Sequence, residues 1–391
     1  MRTFVLLSVL LFFSFSTFAQ TYQLGHKTIT YQDSARNNRN IPTELFYPAA
    51  TAGNDVAILN DQFPIIVFGH GFVMANPDLY DYIWNALIPD GYIIAFPTTE
   101  SSSIFPPPNH EAFGLDLAFL INKLKSEGSN AASFFYNHIG TTSAIMGHSM
   151  GGKATIIAAA NNNDITTCIS MGAAMSAGVG NNLDVLKDYA PNISVPSIVF
   201  SGELDCVAEP DENQIPLYDT LGSPCKTFIS ILGGGHCYFA SNSSNCEIGE
   251  MGTCHTATRE HQNQVVLTLL APYLRFMLKN NSNAGLEFLA RLDTSVFILT
   301  ERDCAISGFA SLLNDEIIIS PNPSQGKFFV TVPASSDDLV LQIYNVSGKN
   351  VFLEKITSGT KTFDLSFLSK GVYICNITHP GKNYYKKIIL N

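Results

Sequence analysis

Ser143-Ala144-Ile145-Met146-Gly147-His148-Ser149-Met150-Gly151-Gly152 decides how this chain is read. An apolar, strand-like segment, Ala144-Ile145-Met146, runs into Gly-His-Ser-Met-Gly, and a helix-forming run, Ala154 to Ala160, follows at once. Strand, sharp turn and helix in that order are what a Gly-x-Ser-x-Gly nucleophile turn needs. The hydroxyl of Ser149 must stand clear of the backbone, while Gly147 and Gly151, lacking side chains, let strand and helix approach closely. The N–H of Met150 then points to where a tetrahedral oxyanion would form. The bland reading is a tight turn with a bystander serine, and the pentapeptide alone does not separate the two.

Working outward, the neighbouring segments predict an α/β chain. Phe63 to Phe68 is a continuous apolar run, as in a strand buried on both faces, and it leads into Gly69-His70-Gly71-Phe72. Further strands are expected at Tyr92 to Phe96, Cys168 to Met171, Ser197 to Phe200 and Phe228 to Leu232. Between them, Tyr80 to Leu87, His110 to Lys125, Leu217 to Leu221 and Arg259 to Leu278 read as helices. Such alternation implies a doubly wound, mostly parallel sheet covered on both faces.

A serine hydroxyl is a weak nucleophile at neutral pH and needs a base, itself held by an acid. In this sheet type the partners follow the serine in the order acid, then histidine, each after a strand. Ser197-Ile198-Val199-Phe200-Ser201-Gly202-Glu203-Leu204-Asp205 supplies the acid, with Asp205 preferred over Glu203 and Asp211. Ile229-Ser230-Ile231-Leu232-Gly233-Gly234-Gly235-His236 supplies the base. His148 is the weaker choice among the nine histidines, because its neighbour Ser149 must face the open site. A second oxyanion donor is expected from the loop after the first buried strand, where the N–H of Phe72 would stand beside that of Met150.

The net charge of −11 and the absence of a basic stripe argue against nucleic acid as a partner. Residues 1–19 read as a secretory signal, with Arg2, an apolar stretch from Phe4 to Phe15 and a Thr17-Phe18-Ala19 cleavage site. No later run is long and apolar enough to be a membrane span. All eight cysteines follow that signal, in a compartment that permits disulfides. Cys246 and Cys254 bracket a short polar stretch and form the first candidate pair. Cys206 and Cys237 each follow a candidate catalytic residue and form the second. Cys168 and Cys375 are expected to be free and buried, with Cys225 and Cys304 left open. No metal-ligand spacing and no cofactor motif is visible, and a monomer is expected.

Composition shifts near residue 305. Residues 305–316 read as a linker. From Ile317 onward, short alternating stretches at Phe328 to Val332, Leu339 to Tyr344, Val351 to Lys355, Val372 to Ile377 and Tyr384 to Leu390 predict a small all-β sandwich over residues 317–391.

On Gly147-His148-Ser149-Met150-Gly151-Gly152, Val195-Pro196 to Asp205 and Gly234-Gly235-His236, residues 20–304 resemble secreted α/β-hydrolase serine esterases of the bacterial cutinase and poly(ethylene terephthalate) hydrolase group. The resemblance implies nucleophile, acid and base at Ser149, Asp205 and His236, and oxyanion donors at Phe72 and Met150. It departs from the group at Phe72, Lys153 and Met175, which bear on substrate preference. An acyl pocket between Phe72, Met150 and Met175 and an ester or polyester substrate are expected. A general carboxylesterase, lipase or chlorophyllase-like esterase is the alternative, and a non-catalytic surface binding protein is the competing class. Ile319-Ser320-Pro321-Asn322-Pro323, Leu341 to Lys349 and Gly371-Val372-Tyr373 are similar to the C-terminal sorting domain of type IX secretion, which implies that machinery as a partner.

Overall fold

A computed structural model describes residues 22–101, 106–175, 183–242, 244–250, 254–304, 318–332, 339–357, 359–379 and 382–391. The expected signal and linker lie outside the described residues. Ten strands form one sheet: β1 (Gln23–Asp33), β2 (Arg39–Ala49), β3 (Gly53–Asn54), β4 (Phe63–Gly69), β5 (Ile93–Pro97), β6 (Ile139–His148), β7 (Thr167–Met171), β8 (Ser197–Gly202), β9 (Cys225–Ile231) and β10 (Ile298–Cys304). Their spatial order is β10-β9-β8-β7-β6-β4-β5-β2-β1-β3. The strands from β5 through β4, β6, β7 and β8 to β9 are parallel, with antiparallel additions on both sides.

Helices cover the two faces: α1 (Asp81–Leu87), α2 (His110–Ser129), α3 (Met150–Ala160), α4 (Val185–Asp188), α5 (Gln214–Thr220), α6 (Ser244–Glu250), α7 (Arg259–Lys279) and α8 (Ser282–Thr294). The period-two geometry of β4 explains why a continuous apolar run was needed. Ile65 and Val67 pack with α2 and α3 residues such as Leu117 and Ile157 on one face. Ile66 and Phe68 pack with Trp84, Leu269 and Phe288 of α1, α7 and α8 on the other. Asn109 and Thr258 cap α2 and α7, accepting from the N–H groups of Ala112 and His261. Asn280, in the left-handed region at φ 53°, ends α7.

Beyond the large sheet, β11 (Ile318–Ser320), β12 (Lys327–Val332) and β15 (Gly359–Asp364) form a three-stranded sheet. β13 (Leu339–Asn345), β14 (Asn350–Ile356), β16 (Gly371–His379) and β17 (Lys382–Leu390) form a four-stranded one, and all these pairings are antiparallel. Phe328, Val330, Leu341, Ile343 and Phe363 fill the core between the two sheets. This C-terminal part touches the large sheet's flank. Lys386 Nζ lies 2.7 Å from Asp293 Oδ2 on α8, and Arg302 of β10 lies 3.0 Å from Asp293 Oδ1. Lys387 Nζ donates to the Ile298 carbonyl at 2.6 Å.

Candidate active site

The strand-to-helix turn is strained. Ser149 stands between β6 and α3 at φ 56°, ψ −116°, a region few non-glycine residues occupy. Although Ser149 is the N-cap position of α3, its side chain makes no capping bond. Its hydroxyl instead meets His236 Nε2 at 2.8 Å. The turn survives because its surroundings accept no side chains. A Cβ on Gly147 would lie 2.4 Å from the Gly151 carbonyl oxygen.

His236 follows β9 and the glycine run. Its Nδ1 lies 2.7 Å from Asp205 Oδ2. The other carboxylate oxygen of Asp205 accepts the N–H groups of Val207 at 3.0 Å and Ala208 at 2.7 Å, which fixes this carboxylate in the turn after β8. Glu203, the alternative acid, is engaged elsewhere: it accepts the Gly233 N–H at 2.8 Å. The two loops are sewn together by Leu204 N–H donating to the Gly234 carbonyl at 2.8 Å. Ser149, Asp205 and His236 are all buried. Such burial lowers the local dielectric and strengthens each of these bonds.

Met150 opens α3, so its N–H belongs to the four at a helix start that lack an intrahelical partner. The loop after β4 lies against this helix start, since a Cβ on Gly151 would sit 2.0 Å from the Gly69 carbonyl oxygen. In that loop the Gly71 carbonyl accepts the Met74 N–H at 3.1 Å, and His70 Nδ1 lies 2.8 Å from it. This carbonyl shares a peptide unit with the N–H of Phe72, so anchoring one aims the other in the opposite direction. Burial pushes the His70 imidazole down from its ordinary value, keeping it neutral.

Of the three side chains expected along an acyl pocket, Phe72 is 42% exposed, while Met150 and Met175 are 2% and 5% exposed. Both methionines pack into the apolar cluster beneath the site, so they offer little surface to a ligand. Met175 contributes through its backbone, donating its N–H to Asn213 Oδ1 at 2.8 Å.

The disulfide expectations need correction. Cys246 is not bonded to Cys254, nor Cys206 to Cys237; the pairs are Cys206–Cys254 and Cys237–Cys246, with Cys225–Cys304 as a third. Spacing misled because residues 244–250 form α6 rather than a loop. The helix carries Cys246 back to the turn after His236, and Cys254, beyond its end, reaches the turn after Asp205. Cys168 and Cys375 are free and buried, as expected.

Several supporting residues escaped the sequence reading. Gln262 of α7 grips Gly235 on both sides, accepting its N–H at 3.0 Å and donating to its carbonyl at 2.9 Å. Glu250 accepts the Cys237 N–H at 2.9 Å, and Arg259 donates to the Cys237 and Ala240 carbonyls at 2.7 Å each. None of these has a spacing signal; only the three-dimensional closure of α6 and α7 over the loop after β9 assembles them. Among the described residues, no group of acidic, histidine and cysteine side chains is arranged to hold a metal ion.

The sequence profile of PET hydrolase-like proteins matches residues 25–257, more than half of the chain, and that of secretion system C-terminal sorting domains matches residues 319–391. Cutinase est2 of Thermobifida alba is 29% identical over 123 residues, 31% of this chain and 37% of that protein. The match thus spans well under half of this curated relative. The sorting domain marks the chain for export through type IX secretion. Among the described residues, no helix is long and apolar enough to cross a membrane. The strained turn between β6 and α3 and the loops that meet it are therefore those of a chain that belongs to the PET hydrolase-like family.

Proposed function

We propose that the protein is an exported serine ester hydrolase working through an acyl-enzyme. Ser149 Oγ attacks the ester carbonyl while His236 Nε2 takes its proton, and Asp205 holds the imidazole in the tautomer that makes this possible. The N–H groups of Phe72 and Met150 receive the oxyanion. Collapse of the tetrahedral intermediate expels the alcohol, which takes the proton back from His236. Water, activated by the same histidine, then releases the acid and restores Ser149. The observation that carries this reading is the 2.8 Å approach of His236 Nε2 to a serine hydroxyl withheld from helix capping.

The substrate class we propose is short aliphatic and aromatic esters, with slow surface hydrolysis of aromatic polyester. The exposed ring of Phe72, in the loop that meets the start of α3, supports a flat acyl group. A carboxylesterase of small soluble esters is the second reading, favoured by the burial of Met150 and Met175, which leaves fewer apolar walls for a polymer chain. An amorphous terephthalate film incubated with wild type and Ser149→Ala, with soluble aromatic acids measured, separates them. Release above the Ser149→Ala control supports the polyester reading. None, alongside fast cleavage of small esters, leaves the carboxylesterase.

A further inference from the structure

Gly71, beside the expected oxyanion donor, and His236, the expected base, are 165 positions apart in sequence yet joined by one buried chain of hydrogen bonds. The Gly71 N–H donates to the Tyr80 hydroxyl at 2.9 Å. That hydroxyl lies 3.0 Å from His148 Nδ1, and His148 Nε2 lies 3.1 Å from the His236 carbonyl. Tyr80 and His148 have no exposed surface. Burial holds the His148 imidazole in its neutral form, and then only one set of proton positions satisfies all three contacts. A carbonyl can only accept, so His148 carries its proton on Nε2 and donates there. Its bare Nδ1 accepts the Tyr80 O–H, and the Tyr80 oxygen accepts the Gly71 N–H. Met74 Sδ, 3.6 Å from the same hydroxyl, is the weaker acceptor.

We infer that Tyr80 and His148 are positioning residues for ester hydrolysis, holding the His70–Gly71 peptide, one unit ahead of the Phe72 N–H, and the backbone of His236 in one fixed separation. This rests on the serine-hydrolase reading above. Neither side chain touches the reacting atoms. Tyr80 acts through Gly71, and His148 acts through the carbonyl of the residue that bears the base. The arrangement also gives the residue before the nucleophile a task distinct from lining the cleft, since the strand β6 turns its side chain inward. The tie matters in the transition state more than in substrate binding, because oxyanion donor and base must then serve the same tetrahedral centre.

The test uses the full purified protein and a chromogenic acetate ester, with His148→Gln, His148→Leu and Tyr80→Phe compared to wild type. Gln can present an amide N–H towards the His236 carbonyl, and Leu cannot. Tyr80→Phe keeps the ring and removes only the hydroxyl. Misplacement of the oxyanion donor relative to the base predicts that kcat falls by about 10²-fold in Tyr80→Phe while KM changes little. His148→Leu falls at least as far, and His148→Gln recovers at least ~10-fold of that loss. Wild-type kcat in a folded Tyr80→Phe, a change confined to KM, or His148→Gln no better than His148→Leu overturns the inference. Should Tyr80→Phe not fold, the two His148 variants decide. A phosphonate that fails to label wild type at Ser149 overturns the serine-hydrolase reading itself; labelling of wild type with unchanged kcat in the variants overturns only the positioning role.

Discussion

A methyl group on Gly151 would stand 2.0 Å from the carbonyl oxygen of Gly69 and 2.8 Å from that of His70. The first turn of α3 and the end of β4 are therefore in backbone contact. Gly151→Ala can be accommodated only by pushing α3 away from the loop that carries Phe72. The overpacking should cost at least ~1–3 kcal/mol. It should also lower kcat, because the two candidate oxyanion donors sit on the separated elements. A thermal melt and a steady-state assay check this; wild-type values in both would show that the contact relaxes freely.

The bonds to His236 predict unequal losses on removing its partners. Ser149→Ala should lower kcat by about 10⁶-fold, with the fold retained, since the lost oxygen makes no cap. Asp205→Asn should cost about 10⁴-fold, because the amide favours the wrong imidazole tautomer. Combining the two should cost no more than Ser149→Ala alone. Multiplicative losses in the double variant would contradict a concerted unit.

Peptide mapping of non-reduced protein should recover Cys206 joined to Cys254 and Cys237 joined to Cys246. Replacing each pair by serine should destabilise by about 4 kcal/mol for the larger loop and about 2.6 kcal/mol for the smaller, on chain entropy alone. Activity should suffer from loss of either pair, since Cys206 directly follows Asp205 and Cys237 directly follows His236. A Cys246–Cys254 peptide in the native protein would contradict the pairing.

Lys387 predicts how docking of the C-terminal strands responds to pH. Burial, opposed by Asp293 and aided by Arg302, pushes its ammonium down from 10.5 to about 8. The unfolded chain therefore binds more protons than the folded one between about pH 8 and 10.5, and stability rises with pH across that window. The cost of the buried charge is fully present below pH 8. Hydrogen exchange in β17 should accordingly show the advantage of wild type over Lys387→Met growing from pH 7.5 to pH 10, after correction for intrinsic rates. A constant difference would mean that Lys387 does not titrate in this range.

Much of this was legible in the chain because buried parallel strands write themselves as continuous apolar runs. Phe63 to Phe68 and Ser197 to Phe200 are fully buried strands, and the candidate acid and base lie in the turns just beyond β8 and β9. β10 went unseen for the opposite reason. Only Ile298 of β10 is buried, and Thr-Glu-Arg-Asp reads as a loop until an edge position beside β9 gives it a partner. Gly359–Asp364 was likewise missed, since its Gly-Thr-Lys-Thr start hides a strand that pairs with β12. The disulfides failed because cysteine spacing does not encode side-chain direction, which α6 supplies. Tyr80 and His148 carry no local signal, because their bonds join segments distant in sequence.

The Cys225–Cys304 bond bears on how the large sheet would fare if the chain were cut beyond residue 304. Cys304 is the last residue of β10, and it pairs in register with Cys225 on β9. A terminal edge strand left by proteolysis would ordinarily fray, exposing the rim of β9 to whatever chains lie nearby. Here the outermost ladder rung is covalent. A cut downstream of it would leave an end that cannot peel, so the sheet would keep a closed margin on that side.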